Sequence, residues 1–240
     1  MKKEILAIIP ARHSSKSIPR KNMVLLYGEP LIQYTINAAK RSKLLSRIIL
    51  SSDGDEIIDY CKNQGIEVPF KRPSNLALDY TPMIDVIKHA VDLLRKKEGY
   101  KPDYIILLQP TSPLRTAQHI DESLKKLIDS NADSIVSVVE ISHQFNPYSV
   151  MELKNGFLKH FLPYDEKRNI RQLKPKFYAR NGAAIYAFTY ECLLKKNSLY
   201  GRKILPYFMK KEESVDIDDL FDLEIAEIAL KLREKANYNL

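Results

Sequence analysis

Only two cysteines, Cys61 and Cys192, occur in 240 residues, and neither belongs to a CxxC or a paired Cys and His spacing. Neither a disulfide framework nor a structural zinc site is therefore indicated, and both thiols are expected as packing residues. Long apolar runs are missing as well. Ile5 to Ile9 and Ile105 to Leu108, the longest aliphatic stretches, fall far short of the roughly 20 residues that a bilayer span requires. Lys2 and Lys3 precede the first of them in the manner of a signal-peptide n-region, but an apolar run that ends at Pro10 makes no h-region. The expectation is a cytoplasmic protein without a membrane partner. Five histidines are scattered without an HExxH pair, there is no GxSxG elbow, and neither a Walker A sequence nor a GxGxxG loop occurs. Zinc protease, serine hydrolase, ATPase and dinucleotide dehydrogenase readings thereby lose their main support. His89 and His119 are expected as helix residues.

What is present is the composition of a folded domain: 45% hydrophobic and 28% charged residues. The length allows one α/β domain with a modest insertion and a full core. A formal charge of +8 suits nucleic acid, an anionic membrane surface or a polyanionic small substrate, and does not choose among them. Short aliphatic runs alternate with helical patterns through the first 140 residues, the sequence form of βαβ units around a parallel sheet. Strands are expected at residues 5–9, 47–52, 104–109 and 134–140. Met83, Ile87, Ala90 and Leu94 recur at helical spacing, with Thr81 as the expected N-cap and Pro82 at the first helical position. Ile120, Leu124 and Leu127 repeat the pattern. Ile57 and Cys61 share a helix that Gly65 can end, followed by a short strand over Ile66 to Phe70. Further helices are expected near 31–41 and 219–234. From Ser142 to Tyr178 the rhythm changes to aromatic, proline and charged residues, with Asn155-Gly156 as a hairpin turn signal. That segment reads as an inserted lobe, after which the sheet pattern resumes at Ala183 to Phe188.

Three motifs carry chemistry. The first strand runs into IPARHSSKSIPRKN, where Arg12, Lys16, Arg20 and Lys21 crowd together and no acidic residue occurs between Ile5 and Gly28. The turn after the first strand of an open α/β sheet commonly holds phosphate, so position and charge agree. In LLQPTSPLRT, Gln109, Ser112 and Arg115 are expected at the same sheet edge, either as ligand contacts or as turn formers and caps. In SVDIDD, Asp216 and Asp218 are two apart and face one side of an extended chain, an arrangement that suits Mg²⁺. The alternative is an acidic cluster at a helix N-terminus, which fits Asp219 and Asp222.

Together these motifs, with VPFKRPSNLA and RNGAAIY in their order, resemble the CMP-sialic acid synthetase family, the acylneuraminate cytidylyltransferases. The resemblance covers nearly the whole chain. It implies a Rossmann-like nucleotidyltransferase fold across residues 1–240, with 142–178 as a dimerisation lobe, and transfer of CMP from CTP to the anomeric hydroxyl of a nine-carbon 2-keto sugar acid, releasing pyrophosphate. It also implies site residues. Arg12, Ser15, Lys16, Lys21, Asn22 and Arg72 would bind the nucleotide, and Asp216 with Asp218 would hold Mg²⁺, the expected cofactor. Arg12, Lys21 and the two aspartates would carry catalysis, which needs positioning and electrostatic stabilisation but no covalent intermediate. Gln109, Ser112, Tyr178, Asn181 and, from the lobe of a homodimer partner, Arg171 would meet the sugar. The chain departs from the family pattern where glycines give way to His13, Ser14 and Ser17, where Ala179 followed by Arg180 replaces an arginine two residues before Asn181-Gly182, and where HQFNPYSV lacks a lysine. The acceptor is accordingly N-acetylneuraminic, legionaminic or pseudaminic acid, or a shorter keto sugar acid. A nucleic-acid-binding protein would explain the charge but leaves the Asp pair and the strand-end motifs without a role, so no nucleic-acid partner is expected.

Overall fold

The computed structural model describes residues 3–163, 165–182 and 184–238. The first half of the chain contains β1 (Ile5–Pro10), the small hairpin of β2 (Leu25–Leu26) and β3 (Glu29–Pro30), α1 (Leu31–Arg41), β4 (Arg47–Ser51) and α2 (Asp55–Asn63). It continues through α3 (Met83–Glu98), β5 (Tyr104–Leu107), α4 (Ala117–Ile128) and β6 (Ser134–Glu140). The second half adds the hairpin of β7 (Met151–Lys154) and β8 (Phe157–His160), the short α5 (Glu166–Asn169), β9 (Tyr178–Arg180), β10 (Tyr186–Thr189), α6 (Tyr190–Lys196), β11 (Ile204–Phe208) and α7 (Leu220–Tyr238).

The main sheet has the order β11-β6-β10-β5-β1-β4, with β9 also paired to β6. Strands β4, β1, β5, β6 and β11 run in one direction, and β9 and β10 run against them. The mostly parallel α/β class expected from the sequence is therefore observed. Every residue of β1 is buried, because helices cover both faces of the sheet at its centre. Ile5, Ala7 and Ile9 pack against Ile32 and Ile36 of α1, Ile57 of α2 and Leu124 of α4. Leu6 and Ile8 turn the other way, onto Ile87 and Leu94 of α3 and Leu193 of α6. After β1 the chain crosses to β4 on one side and later returns as β5 on the other, which opens a crevice beyond the ends of β1 and β5. A third apolar cluster joins Ile18, Leu26 and Leu31 to Ile217 and Ala226, bringing the segment after β1 against the one before α7.

Several local expectations are corrected. The N-cap of α3 is Pro82, with no side-chain cap, and the helix starts at Met83. Thr81 instead donates its hydroxyl to the Asn75 carbonyl at 3.3 Å. Residues 66–70 form no strand; a parallel bridge between Ile49 and Glu67 is all that pairs there, and Pro69 has no N–H to extend it. Strand β5 stops at Leu107, two residues short of expectation, ahead of Pro110. The sheet resumes earlier than expected, since Tyr178 already pairs with Glu140, while Ala183 lies outside the described residues. The Asn155-Gly156 hairpin is present, with φ of +53° and +81° as the tight hairpin turn requires. Among the described residues no helix is long and apolar enough to cross a membrane.

Helix α4 follows the LLQPTSPLRT segment and fixes its far end with a reciprocal cap. The Thr116 hydroxyl accepts the His119 amide at 3.2 Å, and His119 Nδ1 accepts the Thr116 amide at 3.3 Å. Thr116→Ala removes that acceptor and is expected to cost about 1 kcal/mol. Urea denaturation should show a lower midpoint with an unchanged slope; an unchanged midpoint would deny the cap a role in stability.

Candidate active site

Two cavities open beyond the ends of β1 and β5. The smaller, of about 210 Å³, is lined by Pro10, Arg12, Ser15, Lys21, Asn22, Arg72 and the Gln109-Pro110-Thr111 turn, with Met83. The larger, of about 770 Å³, lies between Gln109, Met83, Asp216, the β9 residues and Tyr186 and Tyr200. Gln109 and Met83 line both.

The smaller cavity is built on the segment after β1. Its Arg12 carbonyl accepts the buried Asn22 side-chain amide at 2.8 Å, which closes residues 12–22 into one loop. Glycine is absent from this loop, and the room comes from across it: a Cβ on Gly54 would lie 2.8 Å from the Cβ of His13. Arg20 takes the left-handed conformation, φ +54°, that a glycine adopts more readily. Arg12 is hydrogen-bonded to Asp79, whose second carboxylate oxygen meets Lys16 Nζ at 2.9 Å. Hydrogen bonds from Lys16 and Arg12 hold Asp79 below the usual carboxylate range. Sequence reasoning gave Asp79 little weight, because a lone acid in a loop carries no motif.

Lys21 and Arg72 are both buried, and both are committed to backbone. Lys21 Nζ donates to the carbonyls of Ile217 at 2.8 Å and Asp218 at 3.0 Å, and lies 3.8 Å from Asp218 Oδ1. Arg72 Nε donates to Ser51 Oγ at 3.0 Å and its Nη2 to the Ser51 carbonyl at the end of β4. Burial brings the Arg72 guanidinium down to about 10, still charged at neutral pH. Arg72 thus positions the end of β4 and Lys21 the segment before α7, and both line the cavity.

Asp216 stands at the larger cavity with its Oδ1 buried and without a hydrogen-bond partner. Burial raises its carboxyl above the ordinary value; a Thr111 contact and the Lys21 charge oppose that rise, while Asp218 and Asp222 add to it. Gly182, at φ +65°, presses directly on this group: a Cβ there would come 2.2 Å from Asp216 Cγ. Asp218 is largely exposed. Asp222 caps its own helix start by accepting the Asp218 and Asp219 amides, as the acidic-cluster alternative anticipated for that residue. Among the described residues no group of three or more His, Cys, Asp or Glu side chains gathers as a metal site.

The remaining expected contacts divide. Tyr178 lines the larger cavity and meets Phe208 edge-on at 5.0 Å. Asn181 is buried, donating to Ser214 Oγ at 2.9 Å, with its Oδ1 unpartnered. Ser112 is buried with its hydroxyl unpartnered and lines neither cavity. Arg171 lies exposed in the 142–178 segment and also lines neither. Arg115, placed by sequence at the sheet edge, is instead interior. Its Nη1 donates to the Gln109 carbonyl at 3.1 Å and the Ala184 carbonyl at 3.0 Å, and Nη2 to the Thr35 hydroxyl.

The chain is 34% identical over 235 residues to CMP-N,N'-diacetyllegionaminic acid synthase of Legionella pneumophila, covering 97% of this chain and 98% of that one. It is 32% identical to N-acylneuraminate cytidylyltransferase of Escherichia coli over 99% of its own length, which spans 54% of that longer protein. Pseudaminic acid cytidylyltransferase of Campylobacter jejuni is 28% identical over 97% of this chain and 99% of its own. Among solved structures, CMP:2-keto-3-deoxy-manno-octonic acid synthetase complexed with CTP superposes with a TM-score of 0.70 at 17% identity, covering 96% of this chain and 99% of that one, and shares the fold. Residues 6–237 match the cytidylyltransferase family, and the chain belongs to it.

Proposed function

We propose that the chain transfers the CMP moiety of CTP to the anomeric hydroxyl of a nine-carbon 2-keto sugar acid bearing acylamino groups, releasing pyrophosphate, in the cytoplasm. One observation carries this reading: a cation-lined cavity and a larger, phenol- and amide-lined one meet at Gln109 and Met83. A nucleotide in the first and a sugar acid in the second would abut there. The names of the relatives, which act on neuraminic, legionaminic and pseudaminic acids, support the acceptor class.

The sugar hydroxyl oxygen bonds to the α-phosphorus as the bond to pyrophosphate breaks, and the hydroxyl proton leaves to solvent. Charge therefore accumulates on the α-phosphoryl oxygens and the leaving group, and fixed cations oppose it. Arg12 and Lys16 supply mobile charge, released from Asp79 as the triphosphate enters. Lys21 supplies fixed charge beside the Asp216 to Asp218 segment. Gln109 orients the acceptor through its side-chain amide. The residues also fit Mg²⁺: Asp216 Oδ1 is a buried hard donor without a partner, Asp218 is a second, and magnesium commonly takes one or two protein carboxylates with phosphate oxygens and water. When bound, the ion would neutralise phosphate charge and lower the pKa of a coordinated hydroxyl.

The assembly proposed is a homodimer through the 142–178 lobe. Every residue of β7 and β8 is exposed, Leu153, Phe157 and Leu158 among them, and among the described residues none of the hairpin joins an apolar core cluster. Leu153 and Leu158 stand opposite each other across the hairpin, and exposed apolar surface of that kind marks an interface.

Three outcomes test the reading. By calorimetry with Mg²⁺, Arg12→Ala and Lys21→Ala each weaken CTP binding by about 10- to 100-fold, the loss expected of a charge-assisted contact. Asp79→Asn, which frees the loop's cations, tightens it. Unchanged affinity in the two alanine variants rejects the phosphate assignment.

Asp216→Asn and Asp218→Asn lower pyrophosphate release by about two orders of magnitude or more and shift the metal dependence upward. Gly182→Ala does the same by displacing the Asp216 carboxylate. Wild-type metal dependence in all three would leave the carboxylates a helix-capping role alone.

In sedimentation at micromolar concentration the protein runs as a dimer, and Phe157→Glu with Leu158→Glu converts it to monomer. A fully active wild-type monomer would contradict the assembly.

A further inference from the structure

Arg180 is the sole cation among the described residues that line the larger cavity. No carboxylate pairs with it among those residues. Its partners are neutral: Nη1 donates to the Tyr200 hydroxyl, and the guanidinium carbon lies 5.6 Å from the centre of the Tyr200 ring. That ring in turn meets Tyr186 edge-on at 5.7 Å. Tyr186 belongs to β10 and is buried, so the arginine is anchored through two phenols to the sheet core. Phenols fix a guanidinium in place without cancelling its charge, which leaves its remaining N–H groups available to an anion.

The position of Arg180 connects this cation to the reacting end of the cavity. In β9 it stands opposite Val138, and Tyr178 stands opposite Glu140, so the two side chains share one face of the strand. Two residues onward lies Gly182, against the Asp216 carboxylate. A ring-closed 2-keto sugar acid carries its carboxylate group and its anomeric hydroxyl on the same carbon. Whatever clamps the carboxylate consequently aims the hydroxyl.

We propose that Arg180, held by Tyr200 and Tyr186, receives the carboxylate of the acceptor within the same subunit and thereby orients the attacking hydroxyl; this rests on the cytidylyltransferase reading above. It gives the acid group to a residue of the cavity wall, with Arg171 of the lobe left to other contacts. The remaining walls are consistent with such an acceptor. Met83, Leu107 and Leu199 offer apolar surface for acyl methyl groups, and Gln109 offers an amide for a polar one.

The test compares each 2-keto sugar acid with its C1 carboxamide, in wild type, Arg180→Gln, Arg180→Lys and Tyr200→Phe. In Arg180→Gln the KM for the acid rises by about 10- to 100-fold, the CTP KM stays within about two-fold, and the preference for acid over carboxamide collapses. Arg180→Lys recovers part of that preference, since it restores charge without the fork. Tyr200→Phe keeps the cation but removes its anchor, and lowers kcat with the acid more than it raises KM. An acid preference in Arg180→Gln equal to that of wild type overturns the assignment while the enzyme reading stands. A wild-type protein that binds CTP but releases pyrophosphate with no 2-keto sugar acid overturns both.

Discussion

The site depends on a single buried ammonium. Lys21 lies in the loop after β1, yet its hydrogen bonds go to the carbonyls of Ile217 and Asp218, nearly two hundred residues away. An ammonium removed from water costs several kcal/mol unless its N–H groups are satisfied, so this contact is held firmly once the chain has folded. The two carbonyls belong to the short segment that carries Asp216 and Asp218. Fixing them fixes the backbone from which both carboxylates emerge. The Ser17 hydroxyl adds a bond to the same Asp218 carbonyl, and Ile18 packs on Ile217 in one apolar cluster. The cationic loop and the acidic segment are therefore one unit, and the ammonium that lines the smaller cavity also fixes the acidic segment beside it.

Much of the framework was legible because it follows from burial. A strand covered on both faces must be apolar throughout, and Ile5 to Ile9 reads so in sequence and in space. The amphipathic helices were legible from the same cause, with Ile87 and Leu94 against one face of β1 and Leu124 against the other. Strand direction was not. A buried run such as Ile185 to Phe188 has the same composition whether it runs with or against its neighbours, and β10 runs against both. The cap of α3 was missed for a local reason: Thr81 and Pro82 both suit the helix start, and only the backbone decides between them.

The candidate site was legible where chemistry is concentrated in a short stretch and hidden where it is assembled from distant ones. Arg12, Lys21, Gln109 and Asp216 stand in motifs that announce charge or a strand end. Asp79 becomes meaningful only when Arg12 and Lys16 are seen on either side of its carboxylate. Arg180, Tyr186 and Tyr200 come from β9, β10 and the turn after α6, and no spacing in the sequence joins them. Arg115 misled for the opposite reason. A charged residue in a proline-rich turn suggests exposure, whereas its hydrogen bonds to Gln109, Ala184 and Thr35 require it inside.

Close approach in this site is supplied from across the gap. The loop after β1 carries His13 where a glycine would give room, and Gly54 withdraws to admit it; Gly182 likewise makes space for a carboxylate that belongs to another segment. Such complementarity demands that the facing segments be held in fixed register, since neither side can yield alone. Arg115 meets that demand at the centre. It bonds the carbonyl of Gln109, which borders both cavities, and the carbonyl of Ala184, which follows Gly182 toward β10. Burial lowers its guanidinium to about 9, with the Asp216 charge acting against that fall, so the cation remains charged at neutral pH and its fork remains a donor to both carbonyls. The turn that borders both cavities and the segment that leads from Gly182 to β10 consequently share one internal tie, a buried guanidinium that holds the two backbones in register.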